Sequence, residues 1–364
     1  MDLLPIPSPD RVSRALANAF DAVFNGGVAD LRRTPAQIID EAPKRTVYRY
    51  LPREDREPRG LPVLLVPPLA APTICFDLRR GCSLAEHLLA RGHPTYLLEY
   101  GDIAFSDKEL GLEHWVQDII PKAIERVSAD AGGQPVQLVG WCLGGIMSLL
   151  AVAARDDLPV NAVAMVASPF DFTQVRIMAP IRPVANVTNG LLGTTLYRAL
   201  GGAPAPLVKR GFQLASIDKY LTKPLAVLSN LDDREFLAQI EAVDHFIDNM
   251  HAYPGRTMGQ LYHRFFRVNE LAGGTLELPD GVVRLADVTV PVLSIAGQAD
   301  VLAPQAAVHH VGGLLPNARQ VRLETAPGGH LGVLTGRGAV RSTWPMLDGF
   351  LAEHAPQRRL RAAA

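Results

Sequence analysis

Residues 135–155 join an apolar strand pattern to an apolar helix pattern through a short turn rich in glycine. The strand pattern is PVQLVG, the turn is GWCLG (residues 140–144), and the helix pattern runs from about Gly145 to Arg155. Glycine is needed in so tight a turn because the neighbouring backbone leaves no room for a Cβ atom. The pattern therefore predicts a strand–turn–helix elbow with Cys142 at its exposed point.

Strand and helix patterns alternate on both sides of this elbow, which is typical of a doubly wound, mostly parallel α/β sheet. The rhythm is lost from about residue 173 to 284, where helix-like sequence predicts a mainly helical cap insertion. We therefore divide the chain into segments, listed here: an N-terminal helical arm (1–44), a core (45–172 and 286–353), a cap (173–285) and a flexible tail (354–364).

The arm contains apolar residues at helical spacing, and this pattern predicts a helix packed on the core. These residues are Val12, Leu16, Phe20, Val23 and Phe24.

Composition excludes several classes of function. The net charge is −1 and 48% of the residues are hydrophobic, a balance that offers no electrostatic footprint for nucleic acid or an anionic membrane. Residues 131–154 carry no charge, but glycines interrupt them, so we expect a buried strand and helix and no transmembrane segment.

Cysteine usage and the N-terminus point to the cytoplasm. The three cysteines form neither a disulfide framework nor a C-x-x-C metal pattern, which suits a reducing compartment. The first residues, MDLLPIPSPDR, lack the basic and apolar regions of a signal peptide.

Cys142 is the candidate nucleophile. The helix that begins beside it directs free N–H groups and the positive end of its dipole at the sulfur, which favours thiolate over thiol. The alternative is a small, buried apolar cysteine, the interpretation we accept for Cys75 and Cys82.

Asp300 and His330 are the candidate partners of Cys142. In the α/β-hydrolase fold an acid and then a histidine follow the nucleophile, each on a loop after a late strand. Asp300 ends the apolar strand pattern PVLSIAGQAD, and His330 ends APGGH after QVRLET. Each residue has an alternative role, since Asp300 could cap the helix near Pro304 and His330 could bond only to backbone.

Two backbone N–H groups are candidates for an oxyanion hole: that of Leu143, next to the nucleophile, and that of Ala70, after the strand pattern LPVLLVPP. The remaining candidates are aromatic residues of the cap that either line an acyl tunnel or belong to an ordinary core, and histidines without neighbours at metal-ligand spacing. They are Tyr253, Tyr262, Phe265 and Phe266, and His245, His251, His263, His309 and His310.

From GWCLGG outward, the chain resembles the polyhydroxyalkanoate synthases, in which cysteine replaces the serine of a lipase-like box. The resemblance runs from about residue 33 to 353. It is carried by RRTPAQIIDEAPKRTVYRYLP, by VLLVPPLAAPTICFDLRRGCSLAEHLLARGHPTYLLEYGD, by YHRFFRVNELAGGTLEL, and by VRLADVTVPVLSIAGQADVLAP with APGGHLGVLTG. The length and the short N-terminal arm are most similar to the catalytic subunit of class III synthases.

The resemblance implies that Cys142 accepts the acyl group, that His330 activates it, and that Asp300 orients His330 or helps to activate an incoming hydroxyl. It implies (R)-3-hydroxyacyl-CoA as substrate, a polyester and free CoA as products, and no further cofactor. It also implies a second, non-catalytic synthase subunit as partner, a homo-oligomer, and association with polyester granules in the cytoplasm.

A cysteine suits transfer because a thiolate that attacks a thioester forms another reactive thioester, whereas serine would form a plain ester. Acyl transfer to a growing polyester is therefore the first hypothesis. A hydrolase (thioesterase or intracellular depolymerase) with the same three residues is the second, and a non-catalytic binding protein on the same scaffold is the third.

Overall fold

The computed structural model describes residues 8–52, 59–175, 201–215 and 217–355. The strands are β1 (Ala36–Ala42), β2 (Arg45–Tyr50), β3 (Val63–Val66), β4 (Asp77–Arg79), β5 (Cys82–Ser83), β6 (Thr95–Glu99), β7 (Val136–Trp141), β8 (Val160–Val166), β9 (Gly202–Ala203), β10 (Tyr253–Pro254), β11 (Thr275–Leu278), β12 (Gly281–Arg284), β13 (Val292–Gly297) and β14 (Val321–Ala326). The α-helices are α1 (Pro9–Phe24), α2 (Leu84–Ala90), α3 (Ile120–Asp130), α4 (Leu143–Ala154), α5 (Ala205–Ala215), α6 (Ile217–Ser229), α7 (Arg234–Asp248), α8 (Gly255–Gln260), α9 (Gln305–His309), α10 (Gly332–Thr335) and α11 (Thr343–Glu353).

One large sheet organises the described residues, with the strand order β1-β2-β6-β3-β7-β8-β13-β14. The pairs from β6 to β14 are parallel, whereas β2 pairs with β6 and β1 with β2 in antiparallel fashion. Buried apolar side chains form a cluster on each face of this sheet. The predicted doubly wound, mostly parallel α/β sheet is confirmed.

The predicted arm (1–44) is only partly helical. The expected helix is present as α1, but β1 follows within the same segment and pairs with β2. Because β2 also pairs with β6, the hairpin extends the main sheet, which therefore begins at Ala36 and not after residue 44.

The expectation that α1 packs its apolar residues on the core is wrong. Leu16 is 67% exposed and Phe24 is 72% exposed. The opposite, polar side of the helix contacts the start of α7, where Arg11 pairs with Asp232 at 2.7 Å and Arg234 pairs with Asp21. Ion pairs and hydrogen bonds, not apolar burial, hold α1 to the rest of the described chain.

The predicted cap (173–285) contains α5 to α8 among its described residues, while residues 176–200 lie outside the described ranges. Its helix α7 is tied to the core: Arg79 of β4, 4% exposed, donates to Glu235 at 2.8 Å, and Gln239 donates to the Thr335 carbonyl at 3.4 Å. The hairpin β11–β12 buries Leu276 and Val283 in the same apolar cluster as the sheet. The C-terminal end of the predicted cap therefore packs on the core, and the division into core, cap and tail stays a prediction.

None of the helices in the described ranges is long and apolar enough to span a bilayer. The uncharged stretch 131–154 is instead the buried strand β7 followed by the buried helix α4, as the glycines indicated.

The junction between β7 and α4 is closely packed against its surroundings. A Cβ atom on Gly144 would lie 2.1 Å from the Val66 carbonyl oxygen, and one on Gly140 would lie 2.5 Å from the Cα of Gly145. Both distances are far below van der Waals contact, so these positions require glycine. The end of β3 and the start of α4 can approach each other only because the side chain is absent.

We expect Gly144→Ala to lower the free energy of unfolding by at least about 2 kcal/mol, because backbone must move to admit the added methyl group. Gly349→Ala is the matched control, since a Cβ atom there, inside α11, meets no heavy atom within 4 Å. Urea denaturation of both variants measures the difference. Equal unfolding free energies would contradict the steric argument.

Candidate active site

Three strands of the sheet end at the same edge, and each is followed by one of the three predicted site residues. Cys142 follows β7, Asp300 follows β13, and His330 follows β14. Because these strands run parallel, their carboxyl ends lie together, which is where α/β sheets bind ligands. The structure thus brings together residues that are far apart in the sequence.

Cys142 occupies the strained point of the elbow. Its φ is 52° and its ψ is −122°, a backbone conformation that residues with a Cβ atom rarely adopt. Its N–H donates to the Val166 carbonyl at 2.9 Å, and its own carbonyl accepts from the Ser168 hydroxyl at 2.8 Å. Ser168 is fully buried, and sequence reasoning missed it because no local pattern links it to residue 142.

Asp300 contacts His330, the first of the two roles between which the sequence left a choice, and it does not cap α9, whose N-cap residue is Pro304 and accepts no side-chain cap bond. One carboxylate oxygen accepts from His330 Nδ1 at 2.8 Å. The other accepts from the backbone N–H groups of Leu302 and Ala303 at 2.9 and 2.8 Å, at the entry to α9. Its side chain has no exposed surface, so these bonds fix the carboxylate in place.

His330 lies between Cys142 and Asp300. Burial alone would disfavour the imidazolium, but the charges of Cys142 and Asp300 and the hydrogen bonds to both raise the pKa of His330 to about 10. Since Nδ1 bonds to Asp300, Nε2 is the atom left for the sulfur. The arrangement places the imidazole between the Cys142 sulfur and a buried carboxylate that fixes its Nδ1 atom.

The two predicted oxyanion donors lie beside the elbow. Leu143 is the first residue of α4, so its N–H has no acceptor within the helix. Ala70 follows β3 in the left-handed conformation, with φ of 64°, and its carbonyl accepts from His251 N–H at 2.8 Å. Their joint role as an oxyanion hole stays a prediction.

A strap made of residues 251–257 crosses this edge of the sheet. It is fixed at one end by the bond from His251 to Ala70 and at the other by the bond from Arg256 N–H to the Lys108 carbonyl at 2.8 Å. Tyr253 lies between these two bonds. Burial and the charge of Cys142 raise the pKa of Tyr253, so its phenol stays protonated over the site.

Two other aromatic candidates of the predicted cap pack against Phe172. Phe265 is fully buried and its ring lies 5.2 Å from that of Phe172, and the ring of Phe266 lies 4.9 Å from that of Phe172. These two phenylalanines therefore belong to an ordinary apolar cluster, the alternative that the sequence left open.

The paired histidines have structural roles, since His309 bonds to the Glu324 carbonyl at 3.0 Å and His310 to the Ala272 carbonyl at 2.9 Å. His251 contacts Asp102 at 3.2 Å. Within the described parts of the chain, no group of three His, Cys, Asp or Glu side chains is arranged to hold a metal ion.

Removing either negative neighbour should lower the pKa of His330 from about 10. Cys142→Ala and Asp300→Asn each remove one charge that favours the imidazolium, and we expect each to lower the pKa by about 1 unit or more. NMR titration of protein labelled with ¹³C in the histidine rings measures the shift.

Asp348→Asn is the control for this titration. Asp348 also bonds to a histidine, His87, at 2.9 Å, but on another part of the fold. This variant should leave the titration of His330 unchanged. A wild-type pKa near 6.5 would contradict the raised pKa of His330.

Comparison with known proteins shows relatives that match the chain over most of its length. No protein-family model matches it. It is 28% identical over 344 residues to the poly(3-hydroxyalkanoate) polymerase subunit PhaC of Allochromatium vinosum. This alignment covers 94% of this chain and 95% of that relative. The subunit PhaC of Synechocystis sp. is 26% identical over 322 residues, covering 88% of this chain and 85% of the relative.

Among solved structures, the esterase RhEst1 from Rhodococcus sp. ECU1013 superposes with a TM-score of 0.51 at 14% identity, covering 88% of this chain and 99% of the esterase. This likeness concerns the fold alone. The chain is therefore an enzyme of the α/β-hydrolase fold and a relative, over nearly its whole length, of the poly(3-hydroxyalkanoate) polymerases.

Proposed function

We propose that the chain is an acyltransferase of the polyhydroxyalkanoate synthase type, which moves (R)-3-hydroxyacyl groups from CoA to a growing polyester through an acyl-cysteine at Cys142. The observation that carries the proposal is the cysteine at the elbow, close to a histidine that a buried carboxylate holds, in a relative of polymerases. Cys142 is the nucleophile, His330 the general acid and base, and Asp300 the group that orients His330.

The first half of the reaction loads the enzyme. The Cys142 thiolate attacks the thioester carbonyl of the acyl-CoA, the carbon–sulfur bond to CoA breaks, and the CoA thiolate takes a proton from the His330 imidazolium. Acyl-Cys142, free CoA and a neutral imidazole result. One thioester has replaced another, so the acyl group keeps its reactivity toward an alcohol.

The second half transfers the acyl group. Neutral His330 takes the proton from the hydroxyl of the polyester end or of a second substrate, and the oxygen attacks acyl-Cys142. An ester forms, the carbon–sulfur bond breaks, and the thiolate–imidazolium pair is restored. Acylation favours this step because it removes the charge of Cys142, one of the causes that hold the pKa of His330 high.

Backbone N–H groups supply the stabilisation of the tetrahedral oxyanion in both halves. Leu143 and Ala70 are the proposed donors, and the N-terminal end of α4 adds its positive dipole. The reaction needs no metal or other cofactor, since CoA enters and leaves as part of the substrate. The word subunit in the relatives' names supports a second protein chain as a partner.

CoA release from (R)-3-hydroxybutyryl-CoA is the direct assay, with the acyl product identified by mass spectrometry. It is run on the purified chain and on the chain with proteins that co-purify from its own source. We expect CoA together with oligomeric ester, and a fall of about three orders of magnitude or more in Cys142→Ala. CoA with only free hydroxy acid would assign a hydrolase instead, and an unaffected Cys142→Ala variant would remove Cys142 from the mechanism.

Serine at position 142 separates the two halves of the reaction. We expect Cys142→Ser to accept the acyl group slowly and to keep it as an ester, visible as an added acyl mass on the intact protein, without oligomer formation. Cys82→Ser is the matched control, because Cys82 lies elsewhere, with its sulfur 2.8 Å from the Thr335 carbonyl oxygen. Polymer formation by Cys142→Ser at the wild-type rate would contradict the role given to the thioester.

A further inference from the structure

Trp141 lies directly before the nucleophile and joins two parts of the molecule that the sequence does not connect. It is 1% exposed. Its indole N–H donates to the main-chain carbonyl of His330 at 3.1 Å. The centre of its ring lies 5.1 Å from that of the His330 imidazole and 5.8 Å from that of the Phe246 ring of α7.

The hydrogen bond adds to the restraints on the loop before α10, where the Gly328 carbonyl accepts from Ala299 N–H at 2.9 Å and the Gly329 carbonyl accepts from Val333 N–H at 2.8 Å. His330 follows Pro327-Gly328-Gly329, and Gly328 has a φ of 130°, which favours glycine. Asp300 holds the imidazole of His330, whereas Trp141 holds its backbone. With both ends held, the ring cannot turn away from Cys142 without breaking one of the two bonds.

The indole ring also favours the protonated form of His330 electrostatically. A cation within about 6 Å of an indole centre is attracted by the negative face of the ring, whereas a neutral imidazole gains much less. The imidazole of His330 lies inside that range and is tilted by 41° to the indole plane. Trp141 therefore stabilises the imidazolium more than the neutral ring.

Phe246 connects this contact to the predicted cap. Its ring meets the indole edge-on, at an angle of 61°. Helix α7, which carries Phe246, is tied to the core by the bonds of Glu235 and Gln239. A change in the position of α7 on the core would move Phe246 relative to Trp141. Because Trp141 contacts His330 directly, such a movement would reach His330.

We propose that Trp141 is a positioning residue for His330, which holds the histidine in place and favours its imidazolium form. Phe246 makes both effects depend on the position of α7 against the core. The inference rests on the proposed function insofar as His330 is the base there. The titratable groups that face His330 are Asp300, after β13, and Cys142, at the elbow, and Tyr253 of the strap faces Cys142 in turn.

NMR titration of the His330 ring tests the proposal without any substrate. We expect the proton-binding constant of His330 to fall about two- to thirtyfold in Trp141→Leu, which removes the ring and its N–H, and by less in Trp141→Phe, which keeps an aromatic face. If the leucine variant does not fold, the titration of His330 in Trp141→Phe alone decides whether Trp141 favours the imidazolium. An unchanged titration in the folded phenylalanine and leucine variants would overturn the proposal.

The link to α7 is tested by a double-mutant cycle. Phe246→Leu should shift the titration of His330 in the wild-type background and should have no further effect in the Trp141→Leu background. Equal shifts in both backgrounds would show that Phe246 acts independently of Trp141, and this would overturn the second part of the proposal.

Tryptophan fluorescence provides a second readout that leaves the site intact. An imidazolium quenches a neighbouring indole more than a neutral imidazole does. The pair His87–Trp344, with rings 4.8 Å apart, would add a second signal, so the experiment is done in His87→Gln. Emission should rise with pH as His330 loses its proton, and Trp141→Phe should abolish the rise.

These readouts separate the inference from the proposed function. If wild-type protein releases no CoA but the variants shift the titration in the expected order, the proposed function fails and the positioning role stands. If the enzyme is active and the titration is the same in all variants, only the positioning role fails.

Discussion

The close approach of backbone at the β7–α4 junction is the constraint on which the rest of the site depends. Residues 140, 144 and 145 must be glycine because a side chain at any of them would collide with neighbouring atoms. Cys142 is thereby held in a conformation whose cost is about 1–3 kcal/mol for a residue with a Cβ atom. Its bonds to Val166 and Ser168 offset that cost, so packing around the elbow maintains the position of the sulfur.

From this fixed sulfur the electrostatics of the site follow. The parallel strands bring a carboxylate and an imidazole to the same edge, and burial removes water that would screen them. A lone buried carboxylate would be costly, but Asp300 accepts three hydrogen bonds, two from backbone and one from His330. Cys142 and Asp300 therefore both favour the protonated form of His330, and the loss of either group would lower the pKa of His330.

Local sequence patterns predicted the sheet and brought Cys142, Asp300 and His330 together, because each residue directly follows a recognisable apolar strand. Patterns of this kind report on neighbours along the chain. They could not find Ser168 or Trp141, whose hydrogen bonds reach across 26 and 189 residues. They also failed for α1, where helical spacing of apolar residues was taken as burial, although the charged side of that helix makes the contacts. Periodicity indicates which residues share a face, but not what covers that face.

The choice of cysteine and the state of His330 are two aspects of one physical arrangement. In the proposed reaction, a free thiolate beside the imidazole keeps the proton on His330, ready for the departing CoA sulfur. Once the sulfur carries an acyl group its charge is gone, and the same imidazole becomes a base for an incoming hydroxyl. Under the proposed mechanism, the charge on residue 142 thus determines which half of the reaction His330 can serve. A serine, whose hydroxyl is neutral before attack, could not make the histidine alternate in this way, so the cysteine supports both the reactivity of the acyl group and the order of the proton transfers.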